Sequence, residues 1–235
     1  MVAARLGPWR VDEGVLAGQL VSEFEPGMLV TADRGFYAYR LWEAAAATGA
    51  DLLWRMPDGS HLPVVRPLED GSYESFLLDP KVRNRRANQR HRGSAAIEKP
   101  SGIPVRVVEY EVTKRGGKGE IFCLITTIMN PDEASSAELA AAYAERWEFE
   151  SSLDEIKTHQ RGRGGVLRSK SPDMVEQEIW ALLLTHYAVR HLMCEAADHA
   201  DIDPDRLSFM RSLRVIRRQV TDRAGFPPLP PHERP

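Results

Sequence analysis

Apolar residues first recur at helical spacing between positions 12 and 25. Val15, Leu16, Leu20, Val21 and Phe24 form a stripe behind Asp12, a residue suited to cap a helix N-terminus. Pro26-Gly27 ends that pattern. Met28 to Ala32 is a short apolar run of the kind found in buried strands, and it delivers Asp33 at its C-terminal end. Arg34-Gly35 reads as a turn, Tyr37 to Thr48 as a helix stopped by Gly49, and Asp51 to Met56 as a second strand. This strand–helix–strand alternation predicts an α/β sheet with crossover helices. The opening Val2–Leu6 reads as a strand already under way, which leaves a fragment and an ordinary edge strand as two open readings.

The pattern changes after Pro57. Residues 57–135 are rich in Pro, Gly and charge, with strand-like runs at Pro63–Arg66, Tyr73–Leu78, Val105–Val112 and Ile121–Met129. We read them as a β-rich insertion and not as a separate enzyme domain. Helical spacing returns at Ser136. One helix is expected to about Gln160, a second over 173–199 and a third from Asp205 to Val220. The organisation expected is therefore 1–56 as a partial sheet with helices, 57–135 as the insertion, 136–220 as a helical part and 221–235 as a Pro-rich disordered tail.

Composition narrows the classes. The 235 residues are 43% hydrophobic and 28% charged with a net charge of −3, so any nucleic-acid surface must be a local patch. Cys123 and Cys194 lie far apart, and no Cys/His finger spacing occurs. No apolar run approaches the roughly 20 residues of a membrane span, and Met1–Arg10 has no signal-peptide pattern. The expectation is a soluble, cytoplasmic chain without a membrane partner. Basic residues do cluster. Arg83 to Arg92 holds five arginines and no acid, and is either a phosphate-binding run or a solvated loop. Arg161, Arg163, Arg168 and Lys170 form a second, glycine-flanked group. Arg34 admits a local ion pair or a phosphate contact. His186 and His191 are expected to pack or satisfy partners. Trp42, Trp54, Trp147 and Trp180, like Leu182–Leu184, Tyr187 and Leu192, are expected in the core.

The segment Tyr143–Lys157 carries the most chemistry. On one continuous α-helix with Tyr143 at zero, Arg146 falls at roughly 300°, Glu150 at roughly 340° and Lys157 at roughly 320°, a stripe about 60° wide with Asp154 near it at roughly 20°. Such a face suits phosphodiester cleavage. Carboxylates hold hard divalent cations, and neighbouring cations grip phosphates. Taken alone, the pattern also fits a solvated face with (i, i+4) ion pairs such as Arg146–Glu150.

The spacing Tyr143, two residues, Arg146, three residues, Glu150, six residues, Lys157 matches the Y-(2)-R-(3)-E-(6)-K signature of the IS4 family of transposases. Thr31-Ala32-Asp33-Arg34-Gly35-Phe36 resembles the segment that ends in that family's second catalytic Asp. The resemblance covers the chain to about Val220. It implies a DDE-type catalytic domain of ribonuclease H-like fold that uses Mg²⁺ (or Mn²⁺) to cut transposon ends and join them to target DNA. Asp33 and Glu150 would be catalytic and metal-binding. Tyr143, Arg146 and Lys157 would contact DNA, joined by Arg161 and Arg163 in the adjoining loop. The implied partner is double-stranded DNA, with a homodimer or a mixed oligomer with full-length transposase left open. The family's first Asp has no counterpart here, because Asp12 sits at a helix start. The expectation is thus an incomplete, N-terminally truncated ribonuclease H-like fold, impaired in strand transfer. The alternatives are a non-catalytic DNA-binding or assembly fragment, acting as an inhibitor or persisting as an inert remnant, and a nuclease without transposition.

Overall fold

Asp12 accepts the Gly14 N–H at 2.8 Å and caps α1 (Glu13–Gly18), as the stripe predicts. The helix then tightens. Gln19 and Leu20 donate to carbonyls three residues back, and a 3₁₀ turn at Val21–Glu23 replaces the expected last turns. Residues 3–82, 102–113, 119–161 and 166–221 are described by the structure, a computed structural model. The chain divides into two compact units, Met1–Arg146 and Trp147–Pro235.

In the first unit β1 (Leu29–Ala32) runs parallel to β2 (Asp51–Arg55), with Leu29 opposite Asp51 and Ala32 opposite Trp54. A parallel pair needs a crossover, and α2 (Tyr39–Ala46) supplies it. Gly49 follows that helix at φ 83°, a conformation costly for any residue with a Cβ. Four more strands extend the same sheet: β3 (Arg66–Pro67), β4 (Tyr73–Leu77), β5 (Ile103–Thr113) and β6 (Gly119–Thr126). The order is β1-β2-β6-β5-β4-β3, and every pair beyond β1–β2 is antiparallel. The β-rich stretch after Pro57 is thus built onto the edge strand pair as one mixed six-stranded sheet.

Alternation along the strands separates two cores. Leu52, Trp54, Val105, Val107 and Ile125 pack with Trp42 and Ala45 of α2. Trp42 and Trp54 meet edge to face with centroids 5.2 Å apart, a pair worth about 1 kcal/mol beyond area burial. Leu53, Val108 and Leu124 belong to a second cluster with Leu139 and Tyr143 of α3 (Ser136–Ala144). Because both faces are covered, β2 reads as an unbroken Leu52-Leu53-Trp54 run.

The second unit is helical. It contains α4 (Trp147–Asp154), a π-helical turn (Glu155–Gln160), α5 (Pro172–Ala200), a 3₁₀ turn (Pro204–Arg206) and α6 (Phe209–Thr221). Val189 and Met193 of α5 pack with Phe209 and Leu213 of α6. No helix among the described residues is long and apolar enough to cross a membrane.

Three expectations are corrected. Ala3–Leu6 is irregular, and Arg5 is held by an ion pair to Glu23 instead of a strand ladder. The single helix over 136–160 is three segments. The Arg146 N–H turns back to the Tyr143 carbonyl at 3.1 Å, and the Arg161 N–H reaches Ile156, five residues back. Both features break the 100° phase, so no single continuous α-helix runs from Tyr143 to Lys157. Leu184, Tyr187 and Leu192 are exposed and not core, because the second unit's own helices cover one face of α5. Trp147, at 60% exposure, is likewise outside the core, and Trp180 is partly exposed. The basic run Arg83–Arg92 and the tail from 222 lie outside the described residues.

Candidate active site

Asp33 is the first residue after β1, at the C-terminal end of a strand paired in parallel with β2. The chain then reverses at once. The Gly35 N–H donates to Asp33 Oδ1 at 2.8 Å and the Phe36 N–H to the Asp33 carbonyl at 3.1 Å. This Asx turn fixes one carboxylate oxygen. A Cβ at Gly35 would come within 3.1 Å of that oxygen, so glycine keeps the turn tight. Arg34 pairs with Asp58, which also accepts from Arg55 at 2.9 Å. Of its two open readings, the local ion pair is the one present.

Helix α3 brings the first half of the signature to the same unit. Ser135 and Glu138 close a capping box at its start, a Ser-x-x-Glu signal that the sequence carries. Tyr143 is 2% exposed, and its ring packs edge-on against Phe122 at 6.3 Å. The Arg146 guanidinium lies 5.6 Å from the Tyr143 ring centroid. Burial pushes the Tyr143 phenol above its usual range. Arg146 and Arg55 pull it back, and the charge of Asp33 pushes it up again. Asp33, Tyr143 and Arg146 are therefore electrostatic neighbours within the first unit.

The other half of the signature lies in the second unit. Glu150 on α4 borders an open hollow of about 490 Å³, together with Trp147, Ser151, Asp154, Glu155 and His159. Asp154 accepts from the Thr158 hydroxyl at 2.6 Å and has His159 Nε2 at 3.5 Å. Its carboxylate is thereby engaged within its own turn. Lys157 and Arg161 are exposed on and just after the π-helical turn. Arg163 lies outside the described residues.

One cluster was invisible in the sequence. Glu155 takes two hydrogen bonds from Arg190, at 2.9 and 3.0 Å, and sits 2.8 Å from His186 Nε2. The Gln160 side chain donates to the Leu182 carbonyl at 2.8 Å, and Arg217 donates to the Gln160 carbonyl at 2.8 Å. These bonds lash the π-helical turn, and Lys157 on it, to α5 and α6. The separations of 31 and 35 residues carry no local signal. Both histidines have the partners expected of them: His186 sits on Glu155, and His191, although exposed, stacks on Tyr187 with Glu195 3.5 Å from its Nε2.

Asp33 and Glu150 offer carboxylate oxygens, the donor type that Mg²⁺ and Mn²⁺ take. Among the described residues no group of three or more His, Cys, Asp or Glu side chains gathers into a metal-holding cluster.

Residues 1–187 match the family described as "Transposase DDE domain". The chain is also 30% identical over 233 residues to the transposase InsG for insertion sequence element IS4 of Escherichia coli (strain K12). That alignment covers 97% of this chain and 49% of the relative, so the chain spans about half the length of the curated protein it matches.

Proposed function

The chain belongs to the IS4 family of DDE transposases, and from that membership we propose that it serves DNA transposition through a divalent-metal site to which Asp33 and Glu150 contribute. The observation that carries the proposal is the setting of Asp33: the end of a parallel strand, one carboxylate oxygen held by the Gly35 N–H, and Tyr143 with Arg146 as electrostatic neighbours. On this reading the first unit's sheet is part of a ribonuclease H-like fold, extended by the β-rich stretch 57–135.

Bound Mg²⁺ or Mn²⁺ would supply Lewis acidity toward a phosphodiester. The chain's own residues do the rest. Asp33 and Glu150 would hold the ions. Arg146, Lys157, Arg161 and Arg163 would grip backbone phosphates of transposon-end and target duplexes. Tyr143, buried as it is, would act at the DNA by holding Arg146. The setting would be the cytoplasm, with association to itself or to full-length transposase.

A second reading is a non-catalytic DNA-binding or assembly fragment, acting as an inhibitor of transposition or persisting as an inert remnant. It is favoured by Asp154, the further carboxylate beside Glu150, being engaged by Thr158 and His159. Incubating the purified chain with Mg²⁺ or Mn²⁺ and DNA carrying the element's ends tests both. Cleavage lost in Asp33→Ala and Glu150→Ala supports the first reading, and DNA binding without cleavage supports the second. A chain that neither binds nor cuts this DNA contradicts the first reading and the DNA-binding form of the second, and leaves the assembly fragment or inert remnant.

A further inference from the structure

Helix α6 carries Arg211, Arg214, Arg217 and Arg218 and no acidic residue, in a chain whose net charge is −3. Its apolar side is committed: Phe209, Leu213 and Ile216 pack in the core shared with α5. With Arg211 at zero, these three fall at roughly 160°, 200° and 140°, by 100° per residue. Arg214 and Arg218 fall at roughly 300° and 340°. Arg211, Arg214 and Arg218 thus form a stripe about 60° wide on the side turned from the core, and all three are exposed.

Local physics works against this stripe. Arg211–Arg214, Arg214–Arg217 and Arg214–Arg218 are like-charge pairs at (i, i+3) or (i, i+4), each mildly unfavourable. No acid within the helix offsets them. Arg211 stands in the first turn, where the helix dipole opposes a cation. A solvated helix face in a globular domain more often mixes both signs. A polyanion lying along the outer stripe offsets the Arg211–Arg214 repulsion and the charge of Arg211 in the first turn together.

We propose that the outer face of α6 is a second DNA-binding surface, separate from the signature residues, on which Arg211, Arg214 and Arg218 engage duplex phosphates. The proposal rests on the reading that this chain works on DNA, and names a further contact for it. From Arg211 to Arg218 the helix advances about 10 Å, a length over which duplex DNA carries about six negative charges. Guanidinium forks match phosphate oxygens in pairs. A duplex presents that charge density along its whole length, whereas an acidic protein face would need carboxylates placed to match.

The test is the salt dependence of binding. The purified 235-residue chain is titrated onto a fluorescent 30-base-pair duplex by anisotropy, between 50 and 200 mM salt. Removing two phosphate contacts with Arg211→Gln and Arg214→Gln together is expected to flatten the slope of log K against log salt by about 1.8. The Arg211→Lys, Arg214→Lys pair keeps the charge and should keep the slope. Arg10→Gln with Arg206→Gln, two exposed arginines off this helix, should leave it unchanged. Circular dichroism confirms that each variant retains its helices. A wild-type slope in the Gln pair overturns the assignment to α6 alone. Wild-type chain that does not bind the duplex even at 50 mM salt overturns the DNA reading itself, and the inference with it.

Discussion

Asp70 accepts the backbone N–H of Ser136 at 2.7 Å, tying the turn between β3 and β4 to the first residue of the helix that carries Tyr143. The same carboxylate pairs with Arg106, whose side chain is fully buried in the sheet. Arg106 also donates to the Ser72 hydroxyl at 2.8 Å and the Ala134 carbonyl at 2.7 Å. One buried charge therefore organises both the β3–β4 turn and the loop leading into α3. Removing one member of a buried pair leaves the other uncompensated. Asp70→Ala is expected to lower the stability of the first unit by about 3 kcal/mol, measured by urea unfolding followed through tryptophan fluorescence. A loss under about 1 kcal/mol, typical of an exposed pair, would show that solvent reaches Arg106.

Acid should act through the same residue. Burial works against the Asp70 charge, but the Ser72 hydroxyl, the Ser136 and Ser72 N–H groups and Arg106 outweigh it and hold the carboxyl at about 2. Its folded pKa lies below its unfolded one. The stability it contributes is full above about pH 4, and is lost as pH falls toward 2. A melting-temperature profile over that window should fall more steeply for wild type than for Asp70→Asn. Parallel profiles would remove Asp70 from the acid response.

The two thiols should differ in reactivity. Cys123 is buried in the sheet, and burial, with Glu109 beside it, pushes its thiol up to about 12. Cys194 is exposed on α5. The thiolate is the reactive form. At pH 8 a chromogenic disulfide reagent should modify one thiol quickly in the native chain and two after unfolding. Cys194→Ser should abolish the fast phase, and a fast phase that survives it would mean that Cys123 is accessible.

Glu155 should matter to the second unit alone. Its carboxylate faces both Arg190 and His186. Glu155→Gln removes the charge but not the volume, and is expected to cost about 2 kcal/mol through the partly buried Arg190. Hydrogen exchange should speed up in the π-helical turn and in α5 around Leu182–Arg190. Exchange that rises equally over the β-sheet would assign Glu155 a wider role.

Metal binding by the chain alone should be weak. On the reading proposed above two carboxylates, Asp33 and Glu150, hold the metal, and affinity for hard cations falls with ligand charge. Titration with Mn²⁺ is expected to show millimolar binding, on the order of weak carboxylate sites, that weakens further in Asp33→Ala. Micromolar binding would mean that further ligands complete the site.

Much of the local structure around the candidate site was legible from the sequence. The run ending at Ala32, the Asp33–Gly35 turn and the crossover to β2 follow from short-range spacing, and all stand where the pattern puts them. The signature spacing of Tyr143, Arg146, Glu150 and Lys157 was legible as well, because spacing is a property of the chain itself. The path of that segment was not. No Gly or Pro marks the break at Glu145–Arg146, and the π-helical turn that holds Lys157 is fastened by Glu155, Gln160, Arg190 and Arg217 from distant elements. Nor does Arg106 differ in sequence from any surface arginine. Only the pairing of β5 with β4 and β6 closes over it and brings Asp70 within reach. Leu184 and Tyr187 show the converse, since helical spacing makes a face apolar but cannot say whether anything covers it. Local conformation depends on neighbours a few positions away, which the sequence states. Burial, ion pairing and helix breaks depend on which distant groups share one volume, and the packed fold decides that.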